Sequence, residues 1–371
     1  MSISKLAPKR KKFGAIATLA IIVFLSLQPV ESIAEELPTG DIPVQSIING
    51  GARGTFQSND SIPDTAEIVK VGIEPVEVYS INAEAGTWNA NFFIWWRWNG
   101  ERDPSTTTSF TNLTDAISAD FLKYAYVDKN GNPSPSITIT GDKYQSAYVR
   151  AEFTTKFPLK AFPLDKQLLQ IRLENTSYTY NELVYKVDDA FISLDTNIPM
   201  DGWKPQEIRT GSYRHRYPTD FGDIGDAFGD YSMLVYGIEV SRGGANFIIK
   251  LLLPLVAVIL ATLSALFVRQ IASKSPLAIA STGLLTLVFT QQNYSQRLPE
   301  NSPAVLMDKI YLIGYGVVLL VFARVVYRTR TRPSDDPNDH TGHMGSILDM
   351  SFAVALLIAS IIASFYLVKH A

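Results

Sequence analysis

At 371 residues and a net charge of −3, the chain is long enough for two domains and carries no basic excess that would recruit nucleic acid. It contains no cysteine, which excludes disulfides and thiolate metal sites. The charge is unevenly divided: residues 35–245 hold 29 acidic and 18 basic side chains, a net of −11, whereas the remaining ends hold 7 and 15, a net of +8.

The N-terminus reads as a targeting segment. Lys5, Lys9, Arg10, Lys11 and Lys12 precede the apolar run "FGAIATLAIIVFLSL", and Ser32-Ile33-Ala34 offers small residues for cleavage after Ala34. The competing reading is an uncleaved anchor, for which the apolar run is short. Residues 1–34 are therefore expected to be a signal peptide, and 35–65, rich in Gly, Pro and Ser, a loose extension.

Residues 66–245 read as an exported β-sandwich. "AEIVKVGIEPVEVYSIN" (66–82), "WNANFFIWWRW" (88–98), "QSAYVRAEFTT" (145–155), "LLQIRLEN" (168–175) and "YSMLVYGIEVSR" (231–242) alternate or are rich in β-branched and aromatic residues. Turn clusters such as "DKNGNPSPS" (128–136) separate them. One connection stands out. In "KFPLKAFPLDKQ" (156–167) Phe-Pro occurs twice, and each proline removes a donor and extends the residue before it. This is a shaped loop between two strands, and by itself Asp165 could simply cap backbone donors there.

Residues 246–371 read as four membrane spans: 246–268, 276–298, 304–326 and 346–368, each near the ~20 residues that cross a bilayer. Arg269 and Lys274 in the first link, and Arg324, Arg328, Arg330 and Arg332 leading into the third, place those links in the cytoplasm. The expected fold class is thus an all-β extracellular sandwich followed by an all-α four-helix transmembrane domain. The second span is the polar one. Ala278, Thr282, Leu285, Phe289, Gln292 and Gln296 share one helical face, small and polar at one end, apolar in the middle and amide-rich at the other. Such a stripe suits a pore lined by one helix from each of several subunits, with Leu285 and Phe289 closing it by dewetting. An ordinary buried helix with cross-helix hydrogen bonds accounts for the polarity equally well.

The loop and the spans together resemble the pentameric ligand-gated ion channels, the Cys-loop receptor superfamily, over roughly residues 65–368. The carriers are Phe162, Pro163, Asp165 and Gln167 in the Phe-Pro-x-Asp-x-Gln loop, and Arg242 twelve residues before Pro254. Pro299 in "RLPENSPAVLMDKIYL" and the stretch "LENTSYTYNELVY" (173–185) add to them. The cysteine positions that flank the loop in animal members fall on Thr155 and Leu169, so the chain is similar to the prokaryotic, cysteine-free branch.

The resemblance implies a homopentamer in a bacterial inner membrane, with its N-terminal domain in the periplasm. It implies that a small-molecule ligand bound between subunits admits inorganic ions, with no cofactor, and that Phe162, Pro163, Asp165, Arg242 and Pro299 couple binding to gating. Carried over, the ligand site would hold Phe93 or Trp96 on one face. Tyr178 and Tyr180 would lie on a loop, and Tyr213, Tyr217, Phe228 and Tyr231 on a capping hairpin. Aromatic faces and Asp220, Asp223, Asp226 and Asp230 would suit a cationic ligand. Equally, these aromatics could be sandwich core. The Asp spacing permits weak Ca²⁺ binding but not an EF-hand loop.

Two departures from the family pattern bear on the ligand and on the ions. The family's Trp-x-Pro-Asp stretch is absent between residues 103 and 140, and Trp98-Asn99-Gly100 replaces Trp-x-Asp. Cation-selective relatives often carry a Glu at the inner pore mouth, where this chain has Arg269 and Lys274, which leans toward anions. No Walker loop, nucleophile elbow or dinucleotide fingerprint occurs, so no enzyme is expected. His340 and His343 read as solvated link residues. The alternative function is a non-conducting, membrane-anchored periplasmic binding or scaffold protein.

Overall fold

The structure is a computed structural model that describes residues 54–57, 62–116, 121–190, 195, 197–200, 202–217, 229–242, 244–268, 275–300, 302–331 and 347–369. The expected signal peptide lies outside the described residues, as do most of the 35–65 extension, Asp220, Asp223, Asp226, Phe228, Arg269, Lys274, His340 and His343. The chain divides into two units. One comprises Leu37–Ile249 with Gln296–Pro303; the other comprises Met1–Glu36, Lys250–Ser295 and Ala304–Ala371.

The first unit is built from strands. They are β1 (Gly54–Gln57), β2 (Glu67–Asn82), β3 (Thr87–Trp98), β4 (Thr108–Phe110), β5 (Leu113–Ala116) and β6 (Leu122–Tyr124). β7 (Ser136–Ile137), β8 (Lys143–Thr154), β9 (Lys166–Asn175), β10 (Leu183–Val187), β11 (Trp203–Arg216) and β12 (Asp230–Arg242) complete them. One sheet runs β1-β11-β12-β9-β4; the other runs β10-β2-β3-β8-β5, with β6 and β7 also on β8. Neighbours pair antiparallel except β1 with β11 and β10 with β2, which are parallel.

Alternation makes the core. Along β3, Trp88, Ala90, Phe92, Ile94, Trp96 and Trp98 are buried while the residues between them face away. They pack in one cluster with Leu169, Ile171 and Leu173 of β9 and Leu234, Tyr236, Ile238 and Val240 of β12, so the two sheets share a core. Phe92, Phe110 and Phe153 meet edge-on or tilted at centroid distances of 5.9–6.0 Å. Part of the segment expected to be a loose extension, Gly54–Gln57, is a strand on the β11 edge.

The second unit is helical. α1 (Gly244–Ser264), α2 (Ser275–Ser295), α3 (Leu306–Thr331) and α4 (Ile347–Lys369) stand where the four spans were read. Among the described residues two stretches are long and apolar enough to cross a membrane: Leu306–Thr331, and Leu348–Lys369 within α4. α3 is the packing centre, burying Ile310, Gly314, Val317, Val321 and Val325 at steps of three and four. α4 leaves Ile358, Ile361, Ile362 and Phe365 exposed. α1 and α2 approach closely at Gly283, where an added Cβ would fall 2.0 Å from Thr262 Oγ1. At the basic end of the bundle, Asp349 accepts from Arg324 Nε at 2.8 Å, and Arg328 donates to the α1-end carbonyls of Leu266 and Val268 at 2.8 and 3.0 Å.

Candidate functional site

Three constellations carry the functional residues. The first is the shaped loop between β8 and β9. It folds back through two tight turns, Phe162 N–H to the Leu159 carbonyl at 2.9 Å and Leu164 N–H to the Ala161 carbonyl at 2.7 Å; the Phe162–Pro163 bond is cis. Leu164 is exposed at its tip while Phe162, Pro163 and Asp165 are buried. Asp165 Oδ1 accepts from Arg242 Nε at 2.8 Å, and its Oδ2 accepts from Gln167 Nε2 at 2.5 Å. Gln167 also donates to the Pro158 carbonyl at 3.1 Å. The guanidinium of Arg242 lies over two rings, 4.9 Å from the Phe162 centroid and 4.3 Å from that of Trp203. Asp165 and Arg242, 77 residues apart, thus meet in a largely desolvated cluster, the arginine at the last position of β12. Pro299 sits half-buried in its turn, its carbonyl accepting from Ser302 N–H at 3.0 Å.

The second constellation is the α2 stripe. Ala278, Thr282, Leu285, Phe289, Gln292 and Gln296 are all exposed in the single chain, Leu285 at 57 % and Phe289 at 60 %. On the other side of the helix Ala280, Gly283, Leu287 and Tyr294 are buried. At 100° per residue the five positions within α2, Ala278 to Gln292, fall in the middle of the exposed arc, and Gln296 follows just past the helix end. Not every polar residue belongs to that face. Ser281, Thr286 and Thr290 donate to carbonyls three or four residues back at 2.8–2.9 Å. Gln291 accepts from Tyr315 OH at 2.6 Å, and Tyr294 bonds Asp308 and stacks on Tyr311 at 5.0 Å. Much of the span's polarity is satisfied within the bundle, so it is the exposed stripe that needs a partner.

The third constellation is the aromatic end of the sandwich, where the sequence expectation needs correction. Trp96 is 1 % exposed and donates Nε1–H to Thr108 Oγ1 at 3.0 Å; it is a core residue. Phe93, three positions earlier and on the opposite face, is exposed and packs on Tyr148 at 5.0 Å. Tyr180 is buried and Tyr178 half-buried, and both rings already carry a cation. Arg214 lies 5.3 Å from the Tyr180 centroid and Arg102 lies 5.6 Å from that of Tyr178. Each of these two rings thus faces a guanidinium of its own chain.

Tyr213, Tyr217 and Tyr231 gather around His215, whose ring is 4.2 Å from Tyr217 and 6.3 Å from Tyr213. Beneath them lies Glu174, almost fully buried, accepting from Tyr217 OH at 2.6 Å and meeting His215 Nδ1 at 3.2 Å. Burial, and then the bond to Glu174, push the Tyr217 phenol well above its ordinary range. The Arg216 and Arg214 guanidiniums hold the Asp230 carboxyl below its ordinary value.

Glu174, His215, Arg214 and Trp203 were missed in the sequence. A signal for His215 was present, because Tyr213, His215 and Tyr217 recur at the strand period of two. Glu174 continues the outward phase of β9, where a buried carboxylate is not expected until its covering aromatics are placed.

No family model matches the chain. Over 211 residues it is 24% identical to the gamma-aminobutyric acid receptor subunit beta of Caenorhabditis elegans, an alignment covering 55% of this chain and 37% of that protein. The chain thus spans well under half the length of that relative. The similarity is distant and covers part of each chain.

Proposed function

We propose that the chain is one subunit of a homopentameric ligand-gated ion channel of a bacterial inner membrane, its sandwich in the periplasm. All four helices cross the bilayer, and α2 from each subunit lines the pore. Leu285 and Phe289 form the apolar ring that closes it. A small-molecule ligand binds the sandwich between subunits, near Phe93, Tyr178 and the Glu174–His215–Tyr217 cluster, and opens the pore. The observation that carries this reading is the α2 stripe: of six positions chosen by helical spacing, the five on α2, Ala278 to Gln292, lie near the centre of the face that its own bundle leaves exposed, and Gln296 follows just past the helix end. A face ending in Gln292 and Gln296 gains nothing from lipid; facing copies of itself around water satisfies both its polar ends and its apolar middle.

The test is current from the purified full-length protein in planar bilayers. Discrete single-channel openings are expected. A correctly assembled oligomer that never conducts, with wild-type Leu285 or with Leu285→Ser, would support the non-conducting receptor or scaffold instead.

A further inference from the structure

Trp203 belongs to no motif in the sequence, yet it touches the arginine of the Asp165–Arg242 pair. It opens β11 and stands directly across from Arg242 in the β11–β12 ladder. Its ring centroid is 4.3 Å from the Arg242 Cζ, closer than that of Phe162 at 4.9 Å. The ring is 9 % exposed, so the cation lies over it in a water-poor setting, where such contacts are strongest.

The chain leading into Trp203 is itself anchored. Met200 bridges to Val78 in parallel register, and Val78 N–H donates to the Pro199 carbonyl at 3.2 Å. Trp203 N–H then returns to the Met200 carbonyl at 3.2 Å. Between them Gly202 takes a positive φ of +77°, a conformation that would strain other residues and that turns the chain toward β12. A short segment therefore runs from β2 in one sheet to Arg242 in the other.

We propose that Trp203 is a positioning residue for the Asp165–Arg242 pair. Its ring holds the Arg242 guanidinium in the plane and place from which Nε meets Asp165. Through it the β10–β11 connection, fixed to β2 at Val78, bears on the last strand residue before α1. The gating consequence rests on the channel reading above; the positioning itself does not. Arginine is the cation such a site requires, because a planar guanidinium stacks on a ring while still donating at its edge, and an ammonium does not.

The experiment separates ring electrostatics from ring shape. Mono-, di-, tri- and tetrafluorotryptophan are placed at position 203 of the full-length protein by nonsense suppression; the series drains the π face while keeping the side chain's volume. In each background the Asp165–Arg242 coupling is measured by a double-mutant cycle on thermal unfolding of the assembled protein, using Asp165→Asn and Arg242→Gln. Spontaneous currents are recorded in parallel with Leu285→Ser. The coupling factor should fall stepwise, by about tenfold from the native ring to the tetrafluorinated one. Arg242→Lys should give a weaker coupling throughout the series, because an ammonium lacks the planar donor edge that meets Asp165, and resting open probability should change in the same order as the coupling. A flat coupling across the series, even with Trp203→Leu strongly destabilising, would reduce Trp203 to a space-filler and overturn the proposal. Silence of the unsubstituted channel would count against the channel reading only; a graded coupling would still support the positioning role.

Discussion

The Asp165–Arg242 contact offers the sharpest quantitative test. Asp165→Asn is nearly isosteric and removes the charge. The carboxylate now accepts from Arg242 on one oxygen and Gln167 on the other. An amide keeps one acceptor and turns a donor toward the second partner, so one of these bonds is lost and the guanidinium loses the Asp165 charge. Arg242→Gln leaves the reciprocal defect, a carboxylate with a side chain only 1 % exposed and no cation.

Breaking a buried pair from one side costs ~3–5 kcal/mol. The Arg242 side chain retains 15 % exposure, which places the expected single-variant cost near the lower end, about 3 kcal/mol. For a domain of this size that corresponds to a fall of roughly 6–12 °C in the thermal midpoint. The double variant loses both members together and should cost clearly less than the sum, with a coupling of about 1–3 kcal/mol. The assay is thermal unfolding of the detergent-solubilised assembly, followed by tryptophan fluorescence, for wild type, both singles and the double. Additivity within about 0.5 kcal/mol would show that the two side chains do not share a site and would refute the reasoning.

Further outcomes follow from the other constellations. Cysteines introduced by Thr282→Cys and Gln292→Cys should react with small aqueous thiol reagents in the assembled protein, whereas Leu287→Cys, buried against the bundle, should not; equal rates at all three would reject the α2 arrangement. Leu285→Ser should raise resting current by wetting the apolar ring, and an unchanged closed state in a normally assembled channel would put the gate elsewhere. Because Asp230 is held below its unfolded value of 3.8, its pairing with Arg214 and Arg216 stabilises the fold above that pH and is lost as pH falls through the lower folded value. Asp230→Asn should therefore destabilise at pH 7, and the gap to wild type should close only below about pH 4; a gap that persists at pH 2 would show that the cost is not electrostatic. With Arg269 and Lys274 leading into α2, reversal potentials under a salt gradient should favour anions, and Lys274→Glu should shift them toward cations; an unmoved reversal potential would place Lys274 away from the permeation path.

The long strands were legible because each buries one face. The runs read at 66–82, 88–98, 145–155, 168–175 and 231–242 coincide within two residues with β2, β3, β8, β9 and β12. β11 was not read, since its sides are nearly equally covered and the alternation of Tyr213, His215 and Tyr217 marks only its C-terminal end. The parallel pairings of β1 and β10 join segments far apart in sequence, which no local pattern encodes. The choice between Phe93 and Trp96 was decidable in principle: positions an odd number apart face opposite ways, and the even series from Trp88 to Trp98 is the greasier one. The guanidiniums over Tyr178 and Tyr180 were not legible for a different reason. Arg102 lies 76 residues from the ring it covers, so only the folded chain brings the two together.

A buried ion pair is a poor device for stability alone, since apolar residues of similar volume would serve as well or better. What this pair supplies is a defined place for one guanidinium. Asp165 and Phe162 come from one loop and Trp203 from the start of β11, and all three converge on the last residue of β12. Two residues further along the chain α1 begins. On the channel reading proposed above, a shift in the loop, or in the Trp203 strand end, would change the orientation that Arg242 can hold at the end of β12. An apolar cluster could slide between many nearly equal packings. A guanidinium held by a carboxylate and over two rings has few alternatives, and a contact with few alternatives can switch between discrete arrangements rather than deform continuously.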